Sequence, residues 1–399
     1  MESLRELYKI GVGPSSSHTM GPQRAAKVIL KYYPNASRFH VDLHGSLALT
    51  GKGHLTDYII EKTFAPIPVT FSFHADELPQ HPNGMIVHIF DENDKEIKEV
   101  EIYSVGGGSI CFKGESLETP SKVYKHSTMT DILAYVHENG LSLYEYILEN
   151  EDENFESYLY DVLNAMFRSV ENGLKKDGTI HGRLQLKRVA KSMYQQAKNT
   201  RFAAERLFIA SYAYAVAEEN ADGGEVVTAP TCGASGIMPA VLYYCYKQLH
   251  VEKKDLIKAL AVGGLFGNVI KTNATISGAD GGCQAEVGSA CAMAAATMAW
   301  IYELHDYLIE YAAEMGLEHN LGLTCDPVGG YVQIPCIERN GFGSLRALDA
   351  AMLAKQLGYM RKNKVSFDAV VRVMKETGKD LSSAYKETSL GGLAKEFGL

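Results

Sequence analysis

Ser289-Ala290-Cys291-Ala292-Met293-Ala294-Ala295-Ala296 is a run of small, uncharged side chains set inside the charge-free stretch 287–302. That stretch falls short of the ~20 apolar residues a membrane span needs, and it is built on Ala and Gly with Ser289 inside it. It predicts a buried helix whose small side chains let neighbouring helix axes approach closely. Ala259-Leu260-Ala261-Val262-Gly263-Gly264, just upstream, has the same character. Together they predict a tight helical bundle that serves as scaffold, with chemistry placed in the glycine-rich loops between helices.

Outward from these segments, apolar residues follow the helical period from Met129 onward, in 133–137, 143–148, 158–170 and 202–217. The clearest helices are expected over 255–270, 285–315, 345–356 and 369–377. The first ~120 residues differ, alternating helix-period and strand-period signals as a mixed unit does. Helices are expected after Pro22 and over 55–62, and strands over 39–44, 68–73, 85–90 and 100–105, each bounded by Gly, Pro, Asp or Asn clusters. Residues 113–125 are polar, contain Pro120 and lack an apolar period. The fold class is therefore α+β: an N-terminal mixed α/β domain (1–115) of about two helices and a roughly four-stranded sheet, a linker (116–128), and an all-helical domain (129–399). Two domains also suit 399 residues, since single cores rarely grow past ~250–300.

Lys and Arg number 39 against 48 Asp and Glu, a net charge of −9, and no block of five like charges occurs. Neither a nucleic acid nor an anionic membrane surface is an expected partner, which leaves a small molecule. Seven cysteines are too sparse for a disulfide scaffold and odd in number, and the first residues lack the basic-then-apolar pattern of a signal peptide. A cytoplasmic protein with reduced thiols is the expectation.

Three of these cysteines sit beside turn formers, in Gly281-Gly282-Cys283-Gln284, Thr324-Cys325-Asp326-Pro327 and Ile334-Pro335-Cys336. Loops can bend three sulfurs toward one point. Cys245 and Cys291 lie in helical stretches and read as small buried hydrophobes; Cys111 is at a strand end and Cys232 in another glycine loop. The long spacings, 42 (325 − 283) and 11 (336 − 325), match no zinc-finger pattern. Three thiolates without a fourth partner suit an iron–sulfur cluster with one open iron; a zinc site and three unrelated thiols stay open on spacing alone.

Ser15, Ser16, Ser17 and Thr19 precede a helix expected near Gly21-Pro22. Hydroxyls and free backbone N–H groups converge there as a plain N-cap does, or as a carboxylate site does. His18 and His54 lie in glycine-flanked, hydroxyl-rich segments and are candidates to titrate near neutrality as general bases.

Several long segments then carry a resemblance. Gly11-Val12-Gly13-Pro14-Ser15-Ser16-Ser17-His18-Thr19-Met20-Gly21-Pro22, His44-Gly45-Ser46-Leu47-Ala48-Leu49-Thr50-Gly51-Lys52-Gly53-His54 and Tyr103-Ser104-Val105-Gly106-Gly107-Gly108 resemble the β region of bacterial iron–sulfur L-serine dehydratases. Val227-Thr228-Ala229-Pro230-Thr231, Asn273-Ala274-Thr275-Ile276-Ser277-Gly278-Ala279, Gly282-Cys283-Gln284-Ala285-Glu286-Val287-Gly288 and Glu318-His319-Asn320-Leu321-Gly322-Leu323-Thr324-Cys325-Asp326-Pro327 resemble the α region. The likeness implies conversion of L-serine to pyruvate and ammonia without pyridoxal phosphate, and a [4Fe–4S] cluster held by Cys283, Cys325 and Cys336. It further implies His18 and His54 as active-site residues, His54 the preferred base, with Ser15, Ser16, Ser17 and Thr19 binding substrate. Asn273, Ser277 and Gly278 are expected to contact substrate or cluster sulfurs, with His319 and Asn320 weaker candidates. A homo-oligomer, a dimer, is expected.

Two departures bear on this. Single-chain relatives often end in a cysteine that reaches the active site, whereas this sequence ends Lys395-Glu396-Phe397-Gly398-Leu399, so the fourth iron is expected to hold water or another ligand at rest. The loop Thr231-Cys232-Gly233-Ala234-Ser235-Gly236 also differs from relatives with Asn then Cys at its variable positions, so Cys232 is expected to line the pocket without being a ligand. Competing expectations are a cysteine desulfidase on the same scaffold and a serine-binding regulatory protein without turnover. A pyridoxal-phosphate lyase is disfavoured, because no lysine motif accompanies Gly106-Gly107-Gly108.

Overall fold

The structure is a computed structural model that describes residues 1–114, 121–388 and 390–397. The expected linker, 116–128, lies partly outside the described residues. The N-terminal part contains β1 (Ile10–Val12), α1 (Gly21–Tyr32), β2 (Arg38–His44), a short α2 (Ser46–Leu49), α3 (Thr56–Phe64), β3 (Val69–His74), β4 (Gly84–Phe90), β5 (Glu96–Gly106) and β6 (Ser109–Phe112). After it come α4 (Met129–Asn139), α5 (Leu143–Asn150), α6 (Phe155–Lys175), α7 (Ala190–Asn199), α8 (Ala204–Ala221), β7 (Glu225–Val227), α9 (Ile237–Gln248) and α10 (Lys253–Asn273). The chain closes with α11 (Gly278–Gly281), α12 (Ser289–Ile301), α13 (Asp306–Glu318), α14 (Cys336–Gly358), α15 (Phe367–Asp380) and α16 (Gly392–Phe397).

The main sheet has five strands in the order β3-β2-β4-β5-β6, with β2 and β3 parallel and the other pairs antiparallel. The expected four become five because β6, only four residues long, is too short to show alternation, and the glycines before it turn a hairpin back onto β5. Strand alternation sends Phe39, Val41, Leu43, Val87, Ile89 and Ile102 to one face, where they are buried with Ile29, Ile59 and Phe64 of α1 and α3. The Phe39 and Phe64 rings stack at 4.0 Å. The opposite face is polar.

In the helical body, every residue of α12 from Ser289 to Ala299 is buried, with α10, α13 and α14 packed around it. Close approach is a steric requirement here: a Cβ at Gly263 on α10 would stand 2.2 Å from Thr297 Oγ1 of α12. The single helix expected over 285–315 is instead a wide turn at Gln284–Gly288, then α12, then α13 folded back on it. The break falls at Tyr302–His305, where Glu303 adopts φ 55° and ends the helix.

Two connections tie the parts together. β1 pairs antiparallel with β7, Gly11 opposite Val226. Leu4, Leu7 and Tyr8 insert into the helical core, where Tyr8 Oη donates to Leu260 O at 2.9 Å. No helix among the described residues is long and apolar enough to cross a membrane.

Candidate active site

Gly13-Pro14 leads from β1 into a wide π-type turn at Ser16–Met20 that runs straight into α1. Ser15 caps this turn: its Oγ accepts from His18 N at 3.1 Å, and Met20 N donates to Ser15 O. Two hydroxyls lock the turn onto the segment before α3, Thr19 Oγ1 donating to His54 O at 2.7 Å and Thr56 Oγ1 to His18 O at 2.6 Å. From β5, Ser104 Oγ donates to Ser17 O at 2.6 Å. The result stacks the His18 and His54 rings 4.6 Å apart.

The two imidazoles are tied differently. His18 has Ser17 Oγ at Nδ1 (2.8 Å) and Ser46 Oγ at Nε2 (2.9 Å). His54 Nδ1 lies 2.9 Å from the Thr50 carbonyl, which can only accept, so the proton sits on Nδ1 and the lone pair on Nε2. That Nε2 is buried with no hydrogen-bond partner among the described residues; Glu387 Oε1 stands 3.7 Å away. Burial pushes His54 down to about 4, and burial with the neighbouring His54 pushes His18 well below its usual range. Titration near neutrality, the sequence-based expectation, is not what these surroundings give: both rings are neutral at pH 7.

Across the cavity lie the thiols. Cys283 precedes the wide turn at Gln284–Gly288, Cys325 lies in the loop after α13, and Cys336 opens α14. All three are buried. Ligand atoms of Cys283, Cys325 and Glu286 lie within 4.8 Å of one another. Cys283 is held below the usual thiol range, first by a hydrogen bond from Cys325 and then by the Arg339 guanidinium, while Cys325 is raised by that same bond and Cys336 by burial. Burial opposes charge on Arg339, but Cys283 beside it keeps the guanidinium protonated. Arg339 is anchored by donating to Thr324 O at 2.5 Å.

Both sides open on one cavity of about 480 Å³, lined by Ser15, Ser16, Ser17, His54, Ser277, Gly278 and the three thiols. A Cβ at Gly278 would meet Cys325 Sγ at 3.3 Å and Glu286 Oε2 at 2.6 Å, so this glycine keeps the space before the sulfur open. Three soft thiols, a counter-cation and open space in one pocket fit an iron–sulfur cluster, with the Glu286 carboxyl as an adjoining oxygen donor. Cys232 also lines the cavity, its thiol pushed up by burial, and contacts Met20 Sδ at 3.5 Å.

Three expected residues lie outside the lining. His18 backs His54, Thr19 braces it, and Asn273 Nδ2 donates to Ser127 O and Val269 O at the end of α10. His319 and Asn320 sit at the end of α13, Asn320 Nδ2 donating to Gly316 O at 2.6 Å. Conversely, three groups without a sequence signal of their own join the site. Glu286 accepts from Thr231 Oγ1 at 2.7 Å, and burial raises its carboxyl; its place three residues after Cys283 was the available clue. Arg339, three after Cys336, had a similar one. Glu387 is delivered by a backbone bridge, its N donating to Cys325 O at 2.7 Å and Cys325 N to Tyr385 O at 2.8 Å. Burial raises Glu387 to about 8, and its φ of 58° is unusual outside glycine.

Comparison with known proteins agrees along the whole chain. The family model for the serine dehydratase beta chain matches residues 3–64 and 61–115, and that for the serine dehydratase alpha chain matches 94–394. The L-serine dehydratase of Haemophilus influenzae is 39% identical, with 99% of each chain covered. L-serine dehydratase 2 of Escherichia coli is also 39% identical, over 99% of this chain and 98% of its own. The Streptomyces coelicolor L-serine dehydratase is 38% identical over 98% of both. The chain belongs to the serine dehydratase family, with the beta-chain and alpha-chain parts of that family joined in one polypeptide.

Proposed function

We propose that this chain is an iron–sulfur-dependent L-serine dehydratase, a lyase that converts L-serine to pyruvate and ammonia by β-elimination of water. One observation carries the proposal: three buried thiols and an imidazole with a free lone pair face one cavity in a chain of this family. Cys283, Cys325 and Cys336 are the proposed holders of a [4Fe–4S] cluster, which supplies a Lewis-acidic iron for the departing hydroxyl when bound.

The protein's own groups do the rest. Ser15, Ser16 and Ser17 hold the substrate carboxylate at the mouth of α1, where hydroxyls and backbone N–H groups favour an anion. His54 takes the α-proton at Nε2, its other nitrogen fixed on Thr50 O. Its depressed basicity is an advantage of availability, since the lone pair is free at every pH above about 4. Glu387, raised to about 8, is protonated at pH 7 and so places no negative charge beside the carboxylate. Loss of the proton and hydroxide leaves aminoacrylate, whose imine tautomer adds water and releases ammonia. Residues 1–115 and 129–399 are proposed as the two domains meeting at this cavity, in a cytoplasmic homodimer.

Anaerobic purification with iron and sulfide analysis, then pyruvate release from L-serine, tests the proposal. Bound serine without keto acid would favour a regulatory role, and faster pyruvate release from L-cysteine would favour desulfidation.

A further inference from the structure

The outward face of the sheet carries a second cluster of ligating side chains, none of which lines the cavity. Register puts His40 of β2 opposite His88 of β4, and His88 opposite Glu99 of β5. A bulge at Ile89/Phe90 pairs Phe90 with Glu96, skipping Ile97, so Glu96 joins the same face. His88 Nδ1 lies 3.0 Å from Glu96 Oε1, and ligand atoms of His88, Glu96 and Glu99 lie within 4.8 Å of one another.

The other edge of the His88 ring is held. Nε2 lies 3.0 Å from Asp42 Oδ2, and Asp42 Oδ1 is in turn fixed by His40 Nε2 at 3.1 Å and His74 Nε2 at 3.3 Å. A carboxylate on one ring nitrogen orients an imidazole so that the other nitrogen can bind a metal. Here that other nitrogen faces two carboxylates. Like charges this close on a sheet repel unless a cation stands between them, and the neighbouring Lys113 is taken by Glu101 at 2.6 Å. The His88 side chain is 18% exposed and Glu96 42%, so an ion can enter from solvent.

We propose that His88 Nδ1 and the carboxylates of Glu96 and Glu99 form a divalent transition-metal site, with Asp42 orienting His88 and the remaining positions open to water. One imidazole with two carboxylates suits Mn²⁺, Co²⁺ or Zn²⁺, in contrast to the thiol site. The test is titration of the cluster-loaded full chain with Mn²⁺, the free ion counted by electron paramagnetic resonance. About one Mn²⁺ per chain is expected, retained in Cys283→Ala and lost in His88→Ala/Glu99→Gln. Asp42→Asn should weaken affinity by about 10–100-fold, the usual cost of removing an orienting partner. Glu96→Gln, a near-isosteric change at a side chain 42% exposed, should weaken binding too. No binding at millimolar Mn²⁺, or undiminished binding in both the double variant and Glu96→Gln, overturns the proposal.

Discussion

The molecule holds two groups of histidines in opposite surroundings. His18 and His54 are buried, stacked, and pushed down by loss of solvent; Asp42 instead gathers His40, His74 and His88 on an open sheet face. There, although partial burial opposes charge, Glu96 and Asp42 raise His88 above its usual range. The same residue type is made a weaker base by burial in one place and, at His88, a stronger base by its carboxylate neighbours in the other. What decides is whether a carboxylate is in contact before water is removed.

The largest expected effect is at the thiols. Cys283→Ala, Cys325→Ala or Cys336→Ala should each abolish the brown cluster absorbance and serine deamination, whereas Cys245→Ala and Cys291→Ala, buried in α9 and α12, should keep both. A full cluster in any of the first three breaks the assignment. Next, His54→Asn should lower kcat by about 10²–10⁴, the range of a lost general base, with little change in KM; unchanged kcat would move the base elsewhere.

A smaller effect sharpens the contrast between dry and wet charge. Burial, with Glu318 and Glu310 adding to it, pushes Glu314 of α13 up to about 8. Its folded pKa exceeds the unfolded one, so stability present below about pH 4.5 is lost as pH rises toward 8, by up to about 1.4 kcal/mol per unit. Urea denaturation of Glu314→Gln should therefore show a gain over the parent that grows between pH 5 and pH 8; an equal gain at both would mean Glu314 is not held protonated. Asp42→Asn should cost least, on the order of 1 kcal/mol, because its partners are partly solvated. Proton NMR of the histidines should then show His88 titrating at lower pH while His54 is unmoved.

Much of this architecture is legible in the residues. Small side chains over 289–296 mark the centre of the bundle, and alternation in 39–44 and 85–90 marks the sheet. What fails to show is what depends on distance along the chain. β1 and β7 are three residues each and exist only because they pair with one another across more than 200 positions. The helix break at Tyr302–His305 carries no Pro or Gly. In the site, the glycine and proline neighbours of Cys283, Cys325 and Cys336 pointed to loops that meet. Asn273, expected in the loop after a helix, is the last residue of α10 and turns its amide to backbone carbonyls, while Glu387 enters through a bridge to Cys325 that no local pattern announces.

The insertion of Leu4, Leu7 and Tyr8 into the helical core bears on how the chain is made. Tyr8 meets its partner Leu260 across 252 positions. At a synthesis rate of about 5–20 residues per second, about 10–50 s separate the emergence of the two from the ribosome. During that interval residues 4–8 can meet α5 and α6, through Glu151 and Tyr158, but not the α10 surface that completes their burial. Residues 4–8 thus reach their full set of contacts only after the chain as far as α10 has been made.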